Sequence, residues 1–182
     1  YTPTAYNDPS SLIFDGDGNE YTSVEIGAQT WLAQNLRTMK YHDGTAISQG
    51  ASWYNSDQQY EDPYGILYSW NALNQQGKNP CPLGWHIPSD TEWTILIDFY
   101  EARDDYNNLI SGGSSGFEAQ LGGLRTDGQF ENLELQGLYW TSTQKSLEGP
   151  SAWIYKFNAY NNNIYRRFIL TSEWSSCRCI TD

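Results

Sequence analysis

The chain has 182 residues, with 10 Lys and Arg against 22 Asp and Glu, a formal charge of −12, and a mean hydropathy of −0.66. Such acidity repels a phosphate backbone and excludes general nucleic-acid binding, and no apolar run approaches the ~20 residues that cross a bilayer. The length suits one domain that folds without a metal, and 8 Trp, 14 Tyr and 6 Phe supply material for its core, which excludes a disordered chain.

Residues 1–12, rich in Pro, Ser and Thr, read as a leader or linker, as after a removed lipid anchor; the domain proper is expected over 13–182. Asp15-Gly16-Asp17-Gly18-Asn19 then carries Asp-Gly turn chemistry, and Tyr21, Val24, Ile26 and Trp31 follow as a β-hairpin. The Asp15, Asp17, Asn19 spacing is shared with calcium loops. An EF-hand would need Gly at the sixth position and Glu at the twelfth, where Glu20 and Ile26 stand. A turn is expected, with a looser structural calcium site as the lesser alternative. Residues 41–65 read as long loops packed with Trp and Tyr. Ile66, Trp70 and Leu73 share helical spacing over residues 66–73.

The clearest helix start is Ser89-Asp90-Thr91-Glu92, a capping box with acids at the positive end of the dipole. Trp93, Leu96, Ile97 and Tyr100 continue its apolar stripe to about Arg103. After a Gly/Ser-rich break at residues 111–116 the chain reads as short strands. These are Leu121–Phe130 around an Asp127-Gly128 turn, Leu138–Ser142, Ala152–Phe157, Tyr165–Leu170 and Cys177–Ile180. Trp153, Tyr155 and Phe157 fall on one face of their strand. Polar turns are expected at residues 158–163 and 171–176. Two helices ahead of a strand-rich half give an α+β class.

Charge is uneven: residues 1–110 hold 15 acids and 4 bases, and residues 111–182 hold 7 and 6. The first stretch reads as a solvated acidic scaffold. The abundance of Tyr, Trp, Asn, Ser and Gly with few Lys matches extracellular binding surfaces. Cys81, Cys177 and Cys179 lack zinc-ligand spacing. A disulfide from Cys81 to the C-terminal pair would close a loop of nearly 100 residues and stabilise by ~4–5 kcal/mol in the chain-entropy model. Three reduced cysteines are the alternative. No nucleophile elbow or phosphate loop is present.

Several ordered motifs carry a resemblance. They are Asp15-x-Asp17-Gly18-Asn19-x-Tyr21, Ile26-Gly27-x-Gln29-x-Trp31-x-Ala33-x-Asn35-Leu36, Tyr64-Gly65-x-Leu67-Tyr68-x-Trp70 and Cys81-Pro82-x-Gly84-Trp85-His86-x-Pro88. Glu92-Trp93, Tyr139-Trp140-Thr141-Ser142 and Arg178-Cys179 follow. Together they resemble the Fibrobacter succinogenes major paralogous domain of surface and secreted proteins of Bacteroidetes and Fibrobacteres. The resemblance implies a C-type-lectin-like fold related to the formylglycine-generating enzyme, with no established catalytic activity. It also implies a Cys81–Cys179 disulfide, with Cys177 left as an odd thiol. Related lectin-like domains act as variable receptors of diversity-generating retroelements, and the Asn161-Asn162-Asn163 run lies where such a variable segment would fall.

The expected ligand-binding set is Trp153, Tyr155, Asn158, Tyr160, Asn161, Asn162, Asn163, Tyr165, Arg167 and Trp174. It combines stacking faces, amides and a guanidinium suited to sugar rings or a protein surface. For Trp153 and Phe157 the competing assignment is core. Trp31, Trp70, Trp85, Trp93 and Trp140 are expected in the core, and His86 as a structural hydrogen-bonder. No catalytic or metal-ligating residue is expected and no cofactor is required. The function expected is a non-catalytic binding module, an adhesin or receptor-like protein outside the cell or on a bacterial surface, with a protein or carbohydrate partner. The alternatives are an enzyme of the formylglycine-generating class acting through Cys177 and Cys179, and a subunit of a cell-surface fibre.

Overall fold

The structure, a computed structural model, describes residues 12–100, 105–145 and 149–182. The expected leader up to Ser11, the helix end at Arg103, and Glu148 lie outside them.

The chain opens with two small hairpins in place of the single one expected. Strand β1 (Ile13–Phe14) pairs with β2 (Glu20–Tyr21), and β3 (Ser23–Ile26) with β4 (Gln29–Leu32) across a two-residue turn that needs the positive φ of Gly27. The Asp15 carboxylate folds the first turn. It accepts from the amides of Asp17 (2.9 Å) and Asn19 (3.0 Å) and from the Tyr21 hydroxyl (2.6 Å). Next come β5 (Ala51–Ser52), one helical turn α1 (Glu61–Tyr64), β6 (Leu67–Ser69) and α2 (Trp70–Leu73).

The expected helix over residues 66–73 is therefore half strand. Leu67, Tyr68 and Ser69 are all buried, and β6 pairs with β5 and β13 within the larger sheet. A run of apolar residues buried on both sides cannot be told from a helix by period. Ser69 ends the strand and caps α2, accepting from the Ala72 amide.

Strand β7 (Trp85–His86) leads to α3 (Asp90–Phe99), where both halves of the capping box are present. A short helix, α4 (Asp105–Leu109), was not expected. The rest is strand: β8 (Gly122–Thr126), β9 (Gln129–Leu133), β10 (Gln136–Gln144), β11 (Ser151–Asn158), β12 (Asn163–Leu170), β13 (Trp174–Ser175) and β14 (Ile180–Thr181). Asp127 and Gly128, both at positive φ, make the expected turn between β8 and β9. The architecture is mixed α+β, mostly strands with a few short helices, in one compact domain. Among the described residues no helix is long and apolar enough to cross a membrane.

The larger sheet runs β12-β11-β10-β8-β13-β6-β5 with β9 beside β8, and a smaller one runs β3-β4-β14-β7. The β10–β11 pair is buried on both faces and separates two cores. One face offers Leu138, Trp140, Ala152 and Ile154 to Tyr68, Leu73, Trp85 and the cysteines. The other offers Tyr139, Tyr155 and Phe157 to Trp31, Trp93, Leu96 and Phe117. Trp31, Trp93 and Trp140 are fully buried, Trp85 is buried, and Trp70 is partly buried against the first core.

His86 ties this frame together. Its Nδ1 lies 2.8 Å from Asp182 and its Nε2 lies 2.9 Å from Glu92 of the capping box. Burial opposes the imidazolium, but the Glu92 and Asp182 hydrogen bonds outweigh it and hold the His86 pKa above its ordinary value. Burial likewise opposes the Glu92 carboxylate, and Ser89 and His86 outweigh it and lower its pKa. The His86 contribution is complete below the unfolded value of 6.5 and is lost as pH rises through the raised folded value. The Glu92 contribution is complete above 4.5 and is lost as pH falls through the lowered one. Stability in urea is therefore expected to peak between those two pH values. His86→Gln should remove the decline on the alkaline side, a loss below about 1 kcal/mol because solvent screens a part-exposed pair. An unchanged decline in that variant would contradict the assignment.

Candidate functional site: the outer hairpin

Strands β11 and β12 form a hairpin in full register, from Ser151 opposite Leu170 to Asn158 opposite Asn163. Its turn is held by local hydrogen bonds. The Asn158 side chain accepts from the Tyr160 amide at 3.1 Å, Asn161 Nδ2 donates to the Tyr165 hydroxyl, and Asn162 takes a positive φ that asparagine tolerates. Tyr160 stands 69% exposed at the tip, and Asn161, Asn162 and Asn163 are exposed beside it. β11 thus has one foot in both cores while β12 and the turn face solvent.

The structure gathers only part of the expected ligand set. Asn158, Tyr160, Asn161, Asn162, Asn163 and Tyr165 come together around the turn, and Arg167 stands further along β12 with its guanidinium 5.0 Å from the Tyr165 ring centroid. Tyr155 does not belong with them and is corrected to core. It is 3% exposed, its ring stacks on Trp93 at 5.2 Å and 14°, and its hydroxyl lies 2.9 Å from that of Thr94. Alternation had put it on the aromatic face of β11, and that face is the one α3 covers. Phe157 on the same face is fully buried. Trp153 is half-buried and lies five residues from Asn158, about 17 Å along the strand, on the α3 side. Trp174 sits in β13, which pairs with β6 and β8 well inside the sheet order, so it is remote from the hairpin and the turn expected there is partly strand.

A second pattern was invisible in the sequence: aromatic faces of this half carry cations. Arg166 lies 3.4 Å above Trp153, Lys145 3.5 Å above Phe168, Arg125 4.3 Å above Trp174 and Arg167 5.0 Å from Tyr165. Arg166 is also held by Asp90 through two 2.7 Å bonds. Lys156 is paired with Tyr165 across the strands. Burial, then the nearby Arg167 charge, lowers its pKa.

At the C-terminus the expected strand over residues 177–180 is shorter. Only Ile180–Thr181 pairs as β14, although the carbonyls of Cys177 and Cys179 accept from the amides of Leu36 and Leu32. Cys81 and Cys179 are bonded, and the Cys177 sulfur lies within 4.8 Å of both others. A family model described as the Fibrobacter succinogenes major domain matches residues 24–181. The chain belongs to the Fibrobacter succinogenes major domain family. Comparison with curated proteins and with solved structures gives no match.

Other polar clusters of this Fibrobacter succinogenes major domain are engaged in holding its fold. Cys177 is buried, and burial pushes its thiol up to about 12, so it supplies little thiolate. His86 has a carboxylate on each ring nitrogen, which makes both nitrogens donors and leaves no free base. In the calcium-like loop, Asp15 accepts from four protein donors, and Asp17 binds Lys40, Thr38 and the Met39 amide. The Asp15 oxygens close the loop on itself and on Tyr21, and the Asp17 oxygens hold it to residues 38–40. An open cleft of about 490 Å³, bordered by Arg37, Glu61, Asp62 and Glu118, went unforeseen because its walls come from four separate segments.

Proposed function

We propose that this domain is a non-catalytic ligand-binding module of C-type-lectin-like fold, working outside the cell or on a bacterial surface as an adhesin or receptor-like protein. The observation that carries this is the β11–β12 hairpin. It roots in two cores on one strand and presents an exposed Tyr160-Asn161-Asn162-Asn163 tip beside Tyr165 and Arg167 on the other. Rigid support under a polar and aromatic loop lowers the ordering cost of binding and leaves the tip free to change without disturbing the core. The disulfide suits an oxidising compartment. The buried Cys177 and the bonded Cys179 weigh against a thiol enzyme.

Screening the oxidised protein on glycan and cell-surface protein arrays tests this. A ligand is expected whose binding falls at least about tenfold on Tyr160→Ala or Asn161→Ala, the size of a typical interface hot spot, while the melting temperature stays within a few degrees. A ligand indifferent to both substitutions, or thiol oxidation of a cysteine peptide that disappears with Cys177→Ser, would sink the proposal.

A further inference from the structure

On the outermost strand the local charge runs against the sign of the whole chain. β12 ends the larger sheet, pairs with β11 along its length and has no described strand on its other side. An edge strand presents backbone N–H and C=O groups to a further strand, and here α4 lies against part of β12. On one face, Lys156 and Tyr165 are cross-strand partners, and Arg167 is the next residue of β12 on that face. Arg166, pointing the other way, is neutralised by Asp90. Among the described residues, neither Lys156 nor Arg167 has a carboxylate partner. The other bonds made by Arg167 run to the Arg166 carbonyl and the Tyr165 ring. In a chain of net charge −12, these two cations make a local positive patch that an anionic partner would complement.

From this edge we infer that β12 is a docking strand for an extended acidic peptide, whose backbone adds to the sheet while alternate carboxylates reach Arg167 and Lys156. Side chains two residues apart on a strand share a face, so one spacing serves both kinds of contact. A guanidinium takes a carboxylate through paired N–H donors. Neutral sugars are less suited, because the Trp153 and Tyr165 faces on which a ring would stack already carry arginines. The inference rests on the binding role proposed above and names the chemistry of its partner.

The test is titration of the full oxidised chain, labelled for amide NMR, with a short peptide alternating glutamate and valine. Three controls accompany it: the glutamine–valine peptide, the acidic peptide N-methylated on alternate amides, and heparin. Shifts confined to Asn163–Leu170 and neighbouring β11 amides are expected for the acidic peptide. Arg167→Glu should weaken binding at least about tenfold, and N-methylation or glutamine replacement should do the same. If charge reversal perturbs the fold, Arg167→Gln serves, with a smaller loss. Heparin or the N-methylated peptide binding as well as the acidic peptide would show cations acting without strand addition and would overturn the inference. So would an absence of shifts in β12, which would leave the charges as guards against edge-to-edge aggregation. An array ligand lost with Tyr160→Ala but kept with Arg167→Glu would remove this inference and leave the binding module standing.

Discussion

Cys81→Ala is expected to lower the unfolding free energy by about 2–5 kcal/mol, the usual range for loss of a native disulfide. The bond joins residues 98 apart, and the chain-entropy model assigns such a loop about 4–5 kcal/mol through restriction of the unfolded chain. It also fastens the segment before β7 to the strip whose carbonyls hold Leu32 and Leu36. Cys179→Ala is expected to cost less under oxidising conditions. The Cys177 sulfur lies within 4.8 Å of Cys81 and can replace the missing partner. Urea unfolding of both variants, with peptide mapping of the Cys179→Ala protein, reads this directly. Equal losses together with no Cys81–Cys177 bond would refute it.

Arg178→Met should cost about 3–5 kcal/mol, the scale for breaking a buried charged network. Arg178 is fully buried between the two cysteines. Its guanidinium donates to the carbonyls of Ala33 (3.2 Å), Phe117 and Glu118 (3.1 Å) and to Asn35 Oδ1 (2.5 Å), and lies 4.4 Å from the Phe117 ring centroid. Burial lowers its pKa, while Tyr139 and Glu118 favour the charged form. No carboxylate pairs with it among the described residues, so backbone carbonyls and aromatic faces carry the compensation. Methionine fills much of the space but leaves three carbonyls without their donor. Arg178→Lys keeps the charge and loses the fork, so it should also destabilise, by a smaller amount. Denaturant unfolding with the disulfide intact measures both. A methionine variant within about 1 kcal/mol of the parent would show the network to be replaceable, as some buried ionic groups are.

Legibility differed from element to element for physical reasons. The Ser89-x-x-Glu92 box and the Asp127-Gly128 turn involve interactions within a few residues, so the letters alone place them. The strand character of Leu67–Ser69 was hidden because every residue of the strand is buried, which erases the alternation. Tyr155 was misassigned for a different reason: its period gives the correct face of β11, but nothing in the letters says that α3 lies over that face. Trp174 enters the expected set for its stacking face, although sheet order sets it several strands away. The cations lying on aromatic rings depend on cross-strand register, which pairing alone supplies.

Composition, short-range motifs and their order were enough to indicate an acidic α+β domain, its family, the Cys81–Cys179 bond through family resemblance, and an exposed asparagine-rich tip. These depend on residue type and on neighbours in the chain. Packing settled the rest: which side of β11 is closed, where Trp153 and Trp174 sit, and that Lys156 and Arg167 share a face of the last two strands of the sheet with no carboxylate partner among the described residues. Burial and charge pairing are properties of surfaces brought together from distant segments, and no one-dimensional period encodes which surfaces meet.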